Sequence, residues 1–576
     1  MHRNMLVLFI VLAISVLSLS SCSVIEKCEW FQAKCDTQEV RRLPVSEYID
    51  KVKAGWVGQM AGVGWGGPTE FKYCEEIIPE NKMPKWYPEM INQFGQDDIY
   101  VEMTFLRTLE LYGFDVSIEQ AGIDFANSGY QLWHANLAAR DNLRKGIAPP
   151  DSSHPNFSSH SDDIDYQIEA DFSGLIAPAM PNLVIALGEK FGRLMNYGDG
   201  LYAGQFVGAM YAEAFFENDI EKIIHVGLKA IPKDSQYYEC VTDVLQWYKQ
   251  YPDNWQKTWQ LIDSKYQKNP DYRRFACDGP TNKCNIDVKI NGAYIVMGML
   301  YGNRDLDKTI IIATRGGHDS DCNPANAAGI LFTTIGFNNL PERFTSAIDP
   351  EGKFSHTPYN FPMLIKVCEK LARQAVERTG GYIEKDKDGA EVFVIPVKKP
   401  KLAKLQQSYK PGPIANSKFT SEEMEKIHVF PAMSIEDALE KFAPGWTVLN
   451  CGDSLEPGLH AELRGKKNVF VTHPAMDKTD CVLTKDVSIP AGKKTILKLT
   501  LGHHEVGDWE LIVKADGKKL FGKIISEKSV DKDGWLDVNV DIGQFAGKKI
   551  KLELVNHAND WNHESAYWAE IKIDSK

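Results

Sequence analysis

At 576 residues the chain is long enough for two or three domains, each able to bury its own core. Its composition, 43% hydrophobic and 25% charged, is ordinary for globular protein and contains no low-complexity tract. Lys and Arg number 65 against 78 Asp and Glu, a net charge of −13, which argues against non-specific association with nucleic acid or anionic lipid.

Arg3 precedes an apolar run from Met5 to Leu19 that ends in Leu19-Ser20-Ser21-Cys22. A basic start, an apolar stretch and small residues describe an export signal. The cysteine directly after them resembles a bacterial lipobox. That resemblance implies a lipoprotein signal peptide over residues 1–21, cleavage before Cys22 and acylation of its thiol. The chain would then be exported and held at the bacterial envelope, meeting the membrane through this anchor alone. An ordinary signal peptide cleaved nearby is the other reading. A membrane span fits less well, because the run is shorter than the roughly 20 residues a crossing helix needs. Eleven cysteines in an exported chain permit disulfides. Proximity or a shared domain suggests Cys28 with Cys35, Cys277 with Cys284, and Cys451 with Cys481.

Residues 22–43 read as a tether. From Pro44 to about Gly380 apolar and small residues recur at helical spacing. Ile99, Met103 and Leu106 form one stripe and Val101, Phe105 and Leu109 a second, so this helix is expected to be central. Similar runs cover Leu201–Phe216, Ala293–Leu300 and Ala325–Ile335. Tyr382 to Val397 reads as a hairpin turning at Asp388-Gly389, which closes a helical domain over 44–397. Residues 398–445 are the expected linker, with a helical stretch inside Ile427–Phe442. Beyond it, Val469–Thr472, Thr495–Leu501, Trp509–Lys514, Trp535–Val540, Ile550–Val555 and Tyr567–Ile573 alternate apolar and polar residues between turn signals. The expected architecture is therefore mainly α, followed by a β-sandwich of jelly-roll-like pattern over 446–576.

Two acidic constellations could carry chemistry. Gly95-Gln96-Asp97-Asp98 opens the two-striped helix, where adjacent carboxylates are costly unless positive charge meets them. The helix N-terminus supplies part of it and a divalent cation would supply more. An N-cap aspartate beside an exposed one is the plainer alternative. The second is Arg315-Gly316-Gly317-His318-Asp319-Ser320-Asp321-Cys322-Asn323-Pro324, heading another buried helix. Asn323 can cap it and Pro324 fits its first turn. Asp319 and Asp321 can aim at one ion, and hard oxygen ligands suit magnesium, manganese or calcium.

Gln96-Asp97-Asp98 and Gly316 to Asn323 resemble the two metal-binding signatures of the ADP-ribosylglycohydrolase family. Gly58 to Phe71 (GQMAGVGWGGPTEF) is similar to that family's glycine-rich segment, which ends in Pro-x-Glu, here Pro68-Thr69-Glu70. The three motifs stand in family order within residues 44–345. The resemblance implies an all-α domain with one or two magnesium ions, held by Gln96, Asp97, Asp98, Asp319, Asp321 and Cys322. Glu70 would sit at the centre's edge, and Glu70 and Asp98 are the candidate catalytic carboxylates. Gln96 and Cys322 stand where the family usually has Thr, and Gln59 replaces its common aspartate. An amide oxygen can still ligate, whereas a thiol is a poor magnesium ligand.

His318 can contact substrate or metal, or bond backbone as a turn histidine. Acidic residues crowd His160 to Phe172, most of them expected to be solvated. Asp165 and Glu169, one turn apart, are substrate-binding candidates. Asp199 in Tyr197-Gly198-Asp199-Gly200 is another, with helix capping as its alternative. Gly62 to Gly67 matches GxGxxG, but the preceding Tyr48–Met60 reads as helix, and a dinucleotide site needs a strand there. His503-His504-Glu505 reads as a loop at a strand end. Trp509, Trp535, Trp561 and Trp568 offer sugar-stacking faces or core tryptophans. The sum points to a metal-dependent glycosidic-bond hydrolase acting on an extracytoplasmic glycan or glycoside. An ADP-ribosyl hydrolase is the alternative, and a non-catalytic glycan-binding lipoprotein is the third reading.

Overall fold

Glycines at 58, 62 and 66, one helical turn apart, set the centre of the helical unit. They lie on the Val45–Gly66 helix, which packs against the Cys322–Ile335 helix at backbone contact. A Cβ at Gly62 would lie 2.3 Å from the Ala325 nitrogen, and one at Gly66 2.0 Å from the Ser320 carbonyl. The helix thus runs through the glycine-rich segment, and the GxGxxG match lies at its end with no strand before it. Gly62→Ala should destabilise the protein by about 1–3 kcal/mol, since backbone cannot yield as a side chain can. Gly67→Ala, whose Cβ would meet Gln96 Nε2 only at 3.7 Å, should leave the melting temperature unchanged.

The computed structural model describes residues 39–576 apart from 277–282, 429–434, 453–454, 456, 477 and 560–562. The expected signal peptide, Cys22, the Cys28–Cys35 pair, Cys277 and Trp561 lie outside the described residues. Two compact units result: residues to 128 with 132–427, and 428–576 with 129–131. No helix among the described residues is long and apolar enough to cross a membrane.

In the first unit, the Asp97–Tyr112 helix buries both of its apolar stripes, as expected of a central helix. The Asp199–Ala214, Val288–Gly302 and Cys322–Ile335 helices are buried almost throughout, because they are apolar or small all round. The hairpin forms from Tyr382–Lys385 and Glu391–Pro396, turning through Gly389 at φ +83°. Val40–Pro44 adds a third strand beside Glu391–Pro396, so the end of the expected tether is part of the fold.

The expected linker is likewise divided. Up to Ile427 it belongs to the helical unit, where its backbone finds fixed partners. Lys401 N–H donates to Asn182 (2.8 Å), Gln406 N–H to the Tyr202 hydroxyl (2.8 Å), and Ala415 and Ser417 N–H to Asp151 (2.8 Å each). Lys- and Pro-rich composition signals solvent exposure without deciding whether a segment is pinned. The Ile435–Phe442 helix then falls within the second unit.

That unit holds two five-stranded antiparallel sheets around one core. One sheet runs in the order Lys518–Ile525, Trp509–Ala515, Lys549–His557, Cys481–Ser488, Thr447–Leu449. The other runs Leu536–Asp541, Thr495–His503, Ala566–Ser575, Lys466–Thr472, Gly458–Leu463. Four of these strands are not foreseen: Thr447–Leu449, Cys481–Ser488 and Lys518–Ile525 lack a clean alternation of apolar and polar residues, whereas Gly458–Leu463 carries one in Leu459, Ala461 and Leu463. Trp509 and Trp568 are fully buried in the shared core and Trp535 nearly so, which removes them as sugar-stacking faces. His503 bonds the Gly507 carbonyl through Nδ1 (2.8 Å) in the loop after its strand.

Candidate active site

Residues 67–78 and 315–320 are laced together, and this brings Glu70 to the second acidic constellation. Phe71 N–H donates to the His318 carbonyl (3.0 Å) and His318 N–H to the Tyr73 carbonyl (2.9 Å). The hydroxyls of Thr69 and Ser320 bond at 2.9 Å, and Arg315 Nε donates to the Ile78 carbonyl at 2.8 Å. Gly317, at φ +81°, is a necessity here, since a Cβ would lie 2.5 Å from the Tyr73 carbonyl. Just beyond Tyr73, Cys74 forms a disulfide with Cys284. This replaces the expected Cys277–Cys284 pairing, which rested on proximity along the chain. Cys451 and Cys481 do adjoin, bonded thiol to thiol rather than through a disulfide.

The carboxylates converge in two groups that share one residue. Glu70, Asp319 and Asp321 form one, and Asp98, Asp321 and Cys322 the other, with ligand atoms in each within 4.8 Å of one another. Asp98 is 1% exposed, and neither of its oxygens meets a donor at hydrogen-bonding geometry. Burial raises the Asp98 carboxyl well above the usual range, with Asp321 and Asp97 adding to it. Glu70 is raised likewise by burial and then by Asp321, Asp319 and Asp97. Asp319 and Asp321 are raised, first by burial. Asp97 is pushed up to about 6 by burial and by Asp321, and although it lies in neither group it shares their field. Burial and the surrounding carboxylates push the Cys322 thiol up. Buried carboxylates of one sign converging from two helix starts, with both Asp98 oxygens unbonded, fit a divalent cation.

Capping explains less of this arrangement than the spacing suggested. Gln96 is the N-cap residue of the Asp97–Tyr112 helix, and its side chain makes no capping bond. The second helix begins at Cys322, so Asn323 is inside it; Asn323 Nδ2 donates instead to Asn291 Oδ1 (3.0 Å). Asp319 Oδ1 accepts from the Cys322 N–H at 3.4 Å. Pro324 lies in the first turn, where no backbone donor is missed.

The remaining candidates separate. Asp165 accepts the N–H groups of Ala135 (3.3 Å) and Asn136 (2.8 Å), and burial pushes its carboxyl up to about 7, with Asp97 contributing. Glu169 bonds the Asn136 amide, and its other oxygen is buried without a partner. Asp165 and Asp97 both raise the Glu169 carboxyl after burial itself. These two residues therefore border the acidic centre. Asp199 does not: it accepts the Tyr237 N–H (2.8 Å) in the first turn of the Gln236–Gln250 helix, whose N-cap is Ser235, and shares a buried charge group with Lys289, Asp162 and Asp287. His318 is also apart. Its Nδ1 accepts the Asn285 N–H (3.1 Å), and burial lowers it to about 3, so a neutral ring fastens the 285 loop.

The acidic run from His160 to Phe172 is buried rather than solvated. Asp162, Asp163, Asp165, Glu169 and Asp171 are each at most 5% exposed. Asp162 accepts from Ser408 (2.6 Å), and Asp171 from Tyr211 (2.6 Å) and Asn326 (2.7 Å). Sequence reasoning missed this supporting layer, and with it Glu102, which accepts from Gln59 Nε2 (2.6 Å) and the Phe172 N–H (2.8 Å). The same Gln59 nitrogen reaches the Asp98 carbonyl at 3.1 Å. A signal existed: Glu102 lies one turn after Asp98, on the same face of a largely buried helix.

The ADP-ribosylglycohydrolase family model matches residues 44–380. One similar solved structure, described as an ADP-ribosylglycohydrolase-related protein complex, is 13% identical and covers 57% of this chain and 99% of its own, with a TM-score of 0.35. No curated protein matches the chain.

Proposed function

The chain belongs to the ADP-ribosylglycohydrolase family, and from that membership and the converging carboxylates we propose a metal-dependent hydrolase cleaving a glycosidic bond of an extracytoplasmic glycan or glycoside. The observation that carries the proposal is Asp321, shared between two ligand groups that come from separate stretches of chain. Asp98, Asp319 and Asp321 would hold one or two ions, with Glu70, Asp97 and Gln96 at the edge. Bound magnesium, or manganese or calcium on the same oxygens, would supply a Lewis acid and lower the pKa of a water.

The chain's own groups do the rest. The half-buried Glu70 carboxyl at the edge of the centre would give a proton to the leaving-group oxygen and, once ionised, orient the attacking water. Asp98, in the other group that shares Asp321, would hold the ion. Asp165 and Glu169, anchored through Asn136, would be the substrate-side groups in this scheme. Excess chelator should abolish turnover and magnesium should restore it; full activity in chelator would sink the proposal.

Export and lipid anchoring at Cys22 belong to the same proposal. The leader pattern supports them, and so does the Cys74–Cys284 disulfide, a bond at home in oxidising compartments. ADP-ribosyl hydrolysis is the second reading, favoured by the family match itself. Release of sugar from a glycan panel supports the first reading, and release from ADP-ribosyl conjugates alone supports the second. A purely glycan-binding role has less support, since Trp509, Trp535 and Trp568 are core residues.

Cys322 tests the ion's identity. Its thiol sits where a hard oxygen would serve magnesium better. Cys322→Thr should therefore lower the magnesium concentration at half-maximal thermal stabilisation, by about tenfold, a gain near 1.4 kcal/mol.

A further inference from the structure

Apart from the carboxylate centre, His134, His160 and Asp163 bring two imidazole nitrogens and a carboxylate oxygen within 4.8 Å of one another. We propose that they form a second metal site, selective for a zinc-type transition ion, with an open position for an anionic or hydroxyl group of the ligand. The donors come from two segments. His134 opens the His134–Arg144 helix, and His160 and Asp163 lie in the loop before the Asp165–Ile168 turn.

Asp163 is 0% exposed and firmly seated. Its N–H donates to the His160 carbonyl (3.1 Å), its carbonyl accepts from Asn196 Nδ2 (2.7 Å), and its carboxylate meets His160 Nδ1 at 2.7 Å. One imidazole is enough to pair that carboxylate. The ring of His134 nevertheless stands 6.0 Å from that of His160. One ion on these three donors would take a nitrogen from each of the two segments and an oxygen from a carboxylate already fixed in place. His134 also holds a φ of +44°, a left-handed conformation that is costly for a residue with a Cβ and persists where surrounding structure fixes it.

Nitrogen donors separate this site chemically from the carboxylate centre, because imidazole suits zinc whereas an all-oxygen set suits magnesium. Both histidines are half-buried, which leaves an ion on them a face toward solvent. Three protein ligands with an open position are the pattern of reactive rather than structural zinc. The site borders the carboxylate centre, since Ala135 and Asn136, next after His134, donate to Asp165. A substrate whose scissile bond lies at the carboxylates would reach it with a charged or hydroxyl-bearing group. That last placement rests on the hydrolase proposal; the metal site does not.

The test uses the full-length protein, stripped by chelator dialysis, saturated with magnesium and titrated with zinc against a chromogenic chelator. The wild-type protein should bind one zinc tightly. His160→Ala and His134→Ala should each weaken it by at least about 100-fold, while Asp98→Asn and His504→Ala should leave it unchanged. Thermal melts establish that each variant folds, and His160→Gln carries the test if an alanine variant does not. No tight zinc in the wild-type protein, undiminished zinc in the His160 variants, or its loss in Asp98→Asn or His504→Ala would each overturn the proposal. Loss of chelator-sensitive turnover in all assays, with zinc binding intact, would count against the hydrolase proposal alone.

Discussion

Asp321→Asn should abolish turnover and erase stabilisation by magnesium, yet leave the metal-free protein as stable as the wild type or more so. Asp321 belongs to both ligand groups, so its loss removes a donor from each at once. In the metal-free protein the same carboxylate is a source of strain. It raises Glu70, Asp97, Asp98 and Asp319 through like-charge repulsion at buried positions. Substituting a neutral amide of the same shape relieves that repulsion and keeps one oxygen for the backbone N–H groups of residues 321 and 322 that the carboxylate accepts. Binding of an ion to the folded state alone stabilises it by about 2.7 kcal/mol at a hundred times its dissociation constant. The wild-type melting temperature should accordingly rise with magnesium, and the variant's should not. Wild-type turnover in the variant, or equal magnesium response, would show that Asp321 is not the shared ligand.

Glu70→Gln should lower kcat by about 10²–10⁴-fold, the usual worth of a positioned acid or base, while moving the magnesium midpoint far less. Glutamine keeps an oxygen for the ion but has no proton to deliver. The loop bonds that set Glu70, from Phe71 and His318 backbone and from the Thr69–Ser320 pair, are untouched by the change. Equal kcat in the variant would remove Glu70 from the proton path. Parallel loss of magnesium response and turnover would make it a ligand instead.

Local spacing reached a good part of this site because both acidic constellations are continuous in the chain and each opens a helix. Residues Asp97-Asp98 and Asp319 to Cys322 announce themselves within a few positions, and the apolar stripes after them mark buried helices. The surrounding layer was illegible for the opposite reason. Asp163, Asp165, Glu169 and Asp171 fall on a short irregular stretch whose charge density reads as solvated surface. Their burial depends on partners such as Asn136, Tyr211 and Asn326, each from a distant helix. For His318 and Asp199 spacing leaves two roles open, because a turn histidine or aspartate looks alike whether it faces a cleft or fastens a loop; in the fold they hold the Asn285 and Tyr237 N–H groups.

By itself the sequence determined the helical unit, the hairpin at Asp388-Gly389, most strands of the second unit and the two acidic headpieces. Those depend on periodicity and neighbours a few residues apart. Only the tertiary structure decided that Asp321 is shared, that Glu70 is laced to it, that Cys74 rather than Cys277 meets Cys284, and that two histidines meet Asp163. Such pairings join residues far apart in the chain, and contact between them is set by how whole helices pack, as at Gly62 and Gly66, where backbone touches backbone.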